Sequence, residues 1–194
     1  MSEINSLKET RPERLSAKEF FSVENVFTVK SIATMGVLLA IRFFLGLPFL
    51  TIYVMGIKLV TFAYLPDAIA AMLFGPWAAI AFGFAGDTLG YFASMSSGGA
   101  YMPVFAISEM VTGLIFALFL YKRRVSLKNV IIAWILNLFL VVLGLNSVWL
   151  IMMFGMSAGK VLTLTRFGIN LLQFPIHTAL TYFITKVVRE RIRI

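Results

Sequence analysis

The sequence contains no cysteine, which excludes disulfide bonds and thiolate metal sites. Charged residues are also scarce: they make up 13% of the 194 residues, against about 25% in soluble domains. Hydrophobic residues make up 60%. A chain of this length cannot bury so much apolar surface in one soluble core. We therefore predict an integral membrane protein built of helices, because lipid offers no hydrogen-bonding partner to the edge of a sheet.

Six apolar segments approach or exceed the roughly 20 residues that cross a bilayer. They cover Thr28–Leu45, Lys58–Phe74, Trp77–Ala93, Tyr101–Tyr121, Asn129–Phe154 and Val161–Val188. Gly75-Pro76 forms a minimal turn between the second and third segments. The sequence thus predicts an all-α membrane protein, with a six-helix transmembrane domain over residues 28–194. Residues 1–27 are predicted to form a polar tail with a short interfacial helix.

The distribution of the seventeen lysines and arginines indicates the orientation of the chain. Four lie in the 122–128 loop, four between residues 186 and 193, and five in the first thirty residues. By the positive-inside rule, both termini and the 122–128 loop are cytoplasmic. These topology signals leave no basic face for nucleic acid, so no such partner is expected.

Four basic residues remain, and all are predicted to lie at the outer ends of segments: Arg42, Lys58, Lys160 and Arg166. Each could extend its charged end to the lipid headgroups. Together they could instead form an electropositive mouth that concentrates an anionic solute.

The third and fourth apolar segments each carry one carboxylate, Asp87 and Glu109 respectively. A charged side chain at that depth costs about 3 kcal/mol on insertion scales, so such residues usually have a function. Asp87 lies one helical turn before Tyr91, which suggests a recognition group beside an aromatic ring. The function of Glu109 is left open.

The sixth segment carries a polar stripe in which Arg166, Asn170, Gln173 and His177 follow helical spacing. Such a stripe must face protein or water. For His177 we expect a hydrogen bond between helices rather than catalysis. Asn146 and Trp149 add an amide and an aromatic ring in the outer half of the fifth segment. These groups suit a flat, nitrogen-rich ring with an anionic tail, because rings stack on aromatics and Arg or Lys pairs with carboxylates.

Several motifs resemble the substrate-binding S component of energy-coupling factor vitamin transporters. They are LPDAIAAMLFGPWAAIAFGFAGDTLGYF from Leu65, and SGGAYMPVFAISEMVTGLIFALFLYKRR after it. LNSVWLIMMFG at 145–155, Arg166 and Pro175-Ile176 are similar to the folate-specific branch. The resemblance implies a bacterial plasma-membrane protein with a vitamin site near the outer face. Loops at about 46–56 and 94–100 would close that site.

The resemblance also implies that the chain is not an enzyme and holds no metal or cofactor. A transmembrane coupling protein and two ATPase subunits would power uptake, and helix one would dock on the coupling protein through Ala33, Gly36 and Ala40. The resemblance and the chemistry of the residues together predict ten folate-binding residues. They are Arg42, Lys58, Asp87, Tyr91, Gly99, Tyr101, Asn146, Trp149, Arg166 and Asn170.

Other functions compete with this hypothesis. The same fold could take riboflavin, pantothenate or thiamin. A self-sufficient proton-coupled carrier could use Asp67, Asp87, Glu109 and His177 as a relay. Gly155-Met-Ser157-Ala-Gly159 matches a hydrolase motif, but it lacks the strand that such a motif requires.

Overall fold

Helices account for most of the computed structural model, which describes residues 20–21, 28–47, 50, 52–54, 57–93, 101–155, 157 and 164–192. For residues 52–54, 57–60, 93, 154 and 164–166 it describes the backbone alone. The elements are α1 Val29–Leu45, β1 Ile52–Val54, β2 Ile57–Val60, α2 Tyr64–Phe74, α3 Pro76–Ala93, α4 Pro103–Leu120, α5 Leu127–Leu136, α6 Asn146–Phe154 and α7 Leu164–Ile192. A π-helical segment, Asn137–Leu145, joins α5 to α6 without a break.

Local sequence signals fix several of the helix ends. The Thr28 side chain caps α1 by accepting a hydrogen bond from the backbone N–H of Ser31 at 3.2 Å. Gly75 separates α2 from α3 with a φ of 84°, a conformation that glycine adopts without strain. Pro76 then occupies the first position of α3, where its missing N–H costs nothing. The predicted Gly75-Pro76 turn is therefore confirmed.

The second predicted segment differs most from the structure. Its first residues form β2, which pairs antiparallel with β1, so that Val54 faces Ile57. Helix α2 has 11 residues and spans about 16 Å, which is short of the roughly 30 Å hydrocarbon core. The apolar, β-branched run around Lys58 suits a strand as well as a helix, and hydropathy alone does not separate the two.

Two helical stretches are long and apolar enough to cross a membrane, judged by length and composition over the described residues. They are Pro103–Leu120 and Leu127–Met153, with mean hydropathies of 2.0 and 2.3. The second contains the π segment. The first stretch falls within a predicted span, and the second overlaps one but begins two residues before it. This supports the membrane class, while the count of six spans stays a prediction.

Helices α3 and α4 pack backbone to backbone through small residues. A Cβ on Gly83 would lie 2.6 Å from the carbonyl oxygen of Glu109, and one on Gly113 would lie 2.6 Å from that of Ala79. Neither position tolerates a side chain, as is common where membrane helices approach closely. This contact fixes the position of α4, which carries Glu109.

The N-terminal region is described only at Phe20 and Phe21, so the rest of the predicted interfacial helix lies outside the described residues. Phe20 is buried, and its ring meets that of Tyr121 edge-on at 5.8 Å. The indole N–H of Trp77 donates to the Phe21 carbonyl oxygen at 3.0 Å. Residues 20–21 therefore lie at the end of the bundle where α4 meets α5.

Candidate functional site

A cavity of about 220 Å³ lies between α2, α4, α7 and the continuous stretch from α5 to α6. Helix α7 and the stretch from α5 to α6 contribute both polar and apolar side chains to its wall, whereas α4 contributes Glu109 and Thr112 and α2 contributes Tyr64. A cavity with a few convergent polar groups is the usual form of a small-molecule site.

Helix α7 lines the cavity with Asn170, Gln173 and His177. Their helical spacing placed them on one face, and the structure turns that face inward. This placement agrees, for these three residues, with the prediction that the polar stripe faces protein or water. The Arg166 side chain lies outside the described part of the chain.

Aromatic rings form one end of the cavity. The ring of His177 lies 4.4 Å from that of Tyr64 and 5.2 Å from that of Trp134, measured between centroids. Trp134 is held in place because its indole N–H donates to the Thr181 hydroxyl at 3.1 Å. These rings give a flat ligand apolar faces on which to stack.

The π segment forms the wall between α5 and α6. Asn137, Val141 and Val142 line the cavity from this segment, and Asn146 does so from the first residue of α6. The Thr112 hydroxyl on α4 donates to Asn137 Oδ1 at 2.9 Å and so ties the two walls together. π-helical segments within α-helices are frequent at functional sites.

Three buried polar atoms on lining residues have no hydrogen-bond partner among the described residues: the Tyr64 hydroxyl, Asn146 Oδ1 and His177 Nε2. The hydrogen bond between helices that was expected for His177 is therefore not found at Nε2. Buried polar groups are normally satisfied, so three unsatisfied atoms around one cavity call for an explanation. A polar ligand would supply the missing partners.

An ion triad at the cavity consists of the buried Arg42 and Asp67 and the partly exposed Glu109. Arg42 Nε lies 3.0 Å from Asp67 Oδ2, and Arg42 Nη2 lies 3.0 Å from Glu109 Oε2. The three residues come from α1, α2 and α4. Glu109 itself lines the cavity, whereas Arg42 and Asp67 lie behind it.

This position differs from the one expected for Arg42. The sequence suggested an exposed cation at an outward-facing mouth, but Arg42 is only 9% exposed. Two carboxylates compensate its charge inside the bundle, and a buried charge requires such partners. From the sequence, Asp67 and Glu109 appeared together only as members of the alternative proton relay, and the function of Glu109 was otherwise open. Their common partner Arg42 was missed because the three residues are far apart in the chain.

Glycine at position 86 makes room for the triad. A Cβ there would lie 1.2 Å from Arg42 Nη1. Small residues on α3 thus have two uses, since Ala79 and Gly83 pack against α4 while Gly86 accommodates a guanidinium.

Four other predicted site residues do not line the cavity that the described residues enclose. Asp87 lies within electrostatic range of Arg42 and Glu109. The rings of Tyr91 and Tyr101 lie 5.1 Å apart. The Trp149 indole N–H donates to the Ser108 hydroxyl at 3.1 Å. Their contact with a ligand stays a prediction, as does that of Arg42.

Three further predicted residues fall outside what the structure describes. Gly99 lies outside the described residues, and of Lys58 and Arg166 only the backbone is described. Of the predicted substrate-binding set, Asn146 and Asn170 are the two that the structure places in the cavity wall. Tyr64, Thr112, Trp134 and Asn137 also line it and were missed. The available signal was a polar residue within an apolar helix, which usually faces protein.

Comparison with known proteins gives concordant results. A sequence model of the family described as "ECF-type riboflavin transporter, S component" matches residues 26–190. The chain is 37% identical over 127 residues to the folate transporter FolT of Clostridium novyi, which covers 66% of this chain and 72% of that protein. It is 29% identical over 130 residues to FolT of Leuconostoc mesenteroides, covering 64% and 69% respectively. A crystal structure of FolT bound with folic acid is similar in fold, with a TM-score of 0.70 and 30% identity, over 80% of this chain and 91% of that one.

Proposed function

The chain belongs to the S-component family of ECF-type vitamin transporters, and on that premise we propose that it is the folate-binding subunit of an ATP-driven importer. The observation that carries the choice of folate is the similarity to FolT in complex with folic acid, over four fifths of this chain. The family description names riboflavin. Both of the curated relatives described above are nevertheless folate transporters.

The chemistry of the cavity supports a flat heterocyclic ligand. Tyr64, Trp134 and His177 offer ring faces, and Asn146 offers an unsatisfied carbonyl oxygen. A pterin ring presents both a π-face and several hydrogen-bonding atoms, so it can use both kinds of group. The cavity performs recognition in this proposal, and the chain performs no chemical reaction on the vitamin.

Energy for uptake would come from partner subunits, namely a transmembrane coupling protein and two ATPases. Helix α1 offers the proposed docking face, since Ala33, Gly36 and Ala40 are all exposed in the isolated chain. A Cβ built on Gly36 meets no atom within 4 Å. A flat face of this kind lets a partner helix approach closely.

The proposed location is the bacterial plasma membrane, with six spans and both termini on the cytoplasmic side. The basic 122–128 loop supports this orientation. Phe20 lies beside Tyr121, next to that loop, which supports placing the N-terminal tail and the loop on the same side of the membrane.

Ligand identity can be tested directly. The purified full-length chain should retain folate that is detectable by mass and by absorbance, and added folate should bind with higher affinity than riboflavin, pantothenate or thiamin. A flavin in the purified protein, or preferential binding of riboflavin, would contradict the choice of folate and leave the family assignment intact.

The mode of energy coupling needs a second experiment. Membrane vesicles that contain the chain with its coupling protein and ATPases should take up labelled folate only when ATP is supplied. Vesicles with the chain alone serve as the control, with and without an imposed proton gradient. Uptake by the chain alone, driven by that gradient, would instead support a proton-coupled carrier.

A further inference from the structure

We propose that Glu109 is the residue that selects the ligand's ring, accepting hydrogen bonds from an edge that carries an amino group next to a ring N–H. This inference rests on the proposed folate function and adds which end of the ligand enters the cavity. Arg42 is a positioning residue in this proposal, because it contacts Glu109 rather than the ligand.

The geometry leaves the Glu109 carboxylate available. Its side chain is 36% exposed and lines the cavity, whereas the side chains of Arg42 and Asp67 are 10% and 6% exposed. Among the described residues, Arg42 is the one hydrogen-bonding partner of the Glu109 carboxylate, and it contacts Oε2. A carboxylate has about four lone-pair sites, so Glu109 can accept further bonds from a ligand.

The charge of the surroundings decides which ligand group fits. When the ion triad is fully ionised, two carboxylates face one guanidinium, and Asp87 adds a further negative group within electrostatic range. No lysine or arginine is among the described residues that line the cavity. A ligand carboxylate would be repelled there, whereas an N–H donor would form a charge-assisted hydrogen bond.

The triad also holds Glu109 in one place. Arg42 also forms an ion pair with Asp67 through its Nε, and Gly86 leaves the space that the guanidinium fills. A carboxylate fixed before binding loses little freedom when the ligand arrives, which favours affinity.

The size of the cavity agrees with this orientation. Its volume of about 220 Å³ is below the roughly 300–1,000 Å³ typical of sites for drug-sized ligands. The described walls therefore enclose part of folate rather than all of it. The negative charge around the cavity favours the pterin ring as the enclosed part. The glutamate end of folate, with its carboxylates, therefore lies outside the cavity.

Fragments of the ligand test the orientation. Binding to the full-length protein should be measured for folate, for pteroate, which lacks the glutamate, and for p-aminobenzoyl-glutamate, which lacks the ring. Pteroate should compete for the site and p-aminobenzoyl-glutamate should not. The opposite order would overturn the proposal.

A pair of variants tests Glu109 itself. Glu109→Gln should raise the Kd for folate about 10- to 100-fold, since one charge-assisted bond is replaced by an amide that also presents N–H groups to the ligand. A folate analogue without the ring amino group should bind the wild type more weakly than folate does. That discrimination should largely disappear in Glu109→Gln. The exposed Glu190→Gln on α7 undergoes the same chemical change and should bind folate normally.

The discrimination between folate and the analogue separates recognition from mere structural support. If Glu109→Gln weakens the binding of folate and of the analogue equally, or of neither, Glu109 does not recognise the ring edge. Arg42→Gln should also reduce the discrimination if Arg42 positions the carboxylate. If Glu109→Gln fails to fold, Glu109→Asp retains the charge on a shorter side chain and should lower discrimination in part. Failure of the wild type to bind folate would reject the proposed function itself.

Discussion

The guanidinium of Arg42 fills the space that a side chain on Gly86 would need. A Cβ at position 86 would lie 1.2 Å from Nη1 and 2.3 Å from Cζ of Arg42. The end of an arginine side chain is normally flexible. Here, however, it is buried and paired on two sides, so it can move only by losing a carboxylate. Gly86 therefore sets the geometry of the ion triad.

Gly86→Ala should displace Arg42 from at least one carboxylate. We expect a loss of stability on the order of 3 kcal/mol, because a buried charge is left poorly paired. Folate affinity should fall with it, because Glu109 loses its support. Thermal unfolding and folate titration in detergent measure the two effects.

Gly90→Ala is the matched control on the same helix. A Cβ there meets no atom within 4 Å, and alanine is the better helix former by up to about 1 kcal/mol. This variant should be as stable as the wild type or slightly more stable. Equal behaviour of the two variants would contradict the constraint attributed to Arg42.

Replacing Arg42 alone should destabilise the protein more than replacing Arg42 together with one of its carboxylate partners. Arg42→Met leaves two carboxylates without their counter-charge and should destabilise the protein by about 3–5 kcal/mol. The double variant Arg42→Met/Asp67→Asn should regain part of that loss. Glu109, which is partly exposed, can then be solvated, whereas Asp67 cannot.

Arg123→Met provides the control for this comparison, because Arg123 is exposed in the loop between α4 and α5. This substitution should change the free energy of unfolding by no more than about 0.5 kcal/mol. A double variant that is less stable than Arg42→Met would show that charge balance is not what the triad supplies.

Hydropathy and turn signals predicted much of the helical framework. The bounds of α1, α3 and α4 agree with the predicted segments to within a few residues, because long apolar runs and Gly75-Pro76 are local features. The strands and the π segment were missed. A strand depends on its pairing partner, and a π segment depends on the packing of its neighbours, so neither leaves a clear periodic signal.

The site was predicted in part for a similar reason. Helical spacing was enough to align Asn170 with Gln173 and His177 on one face. The pairing of Arg42 with Asp67 and Glu109 joins three helices, and sequence spacing does not encode such a contact. An arginine near a helix end looks the same whether it reaches the headgroups or turns inward.

Docking on the coupling protein predicts a variant that binds but does not transport. Gly36→Leu places a large side chain on the exposed face of α1 without touching the rest of the chain. Folate binding to the purified subunit should stay unchanged, and ATP-dependent uptake by the full complex should be largely lost.

Gly168→Leu is the matched control for docking. Gly168 on α7 is also exposed, and a Cβ there also meets no atom within 4 Å. This variant should bind and transport as the wild type does. Loss of uptake in both variants would place the effect in general membrane packing rather than in the α1 face.

The unsatisfied Tyr64 hydroxyl allows stability to be separated from binding. This hydroxyl is buried without a partner among the described residues, and burying it unpaired carries a cost. Tyr64→Phe keeps the ring that packs on His177 and Trp134 but removes the unpaired group. The ligand-free protein should therefore unfold at the same temperature as the wild type or at a higher one.

If folate supplies the missing partner of the Tyr64 hydroxyl, the Kd of Tyr64→Phe for folate should rise about 5- to 10-fold, the value of one neutral hydrogen bond. Tyr182→Phe, on a residue outside the cavity wall, should leave the Kd unchanged. A destabilised Tyr64→Phe that binds folate normally would show that the hydroxyl has a structural partner and does not contact the ligand.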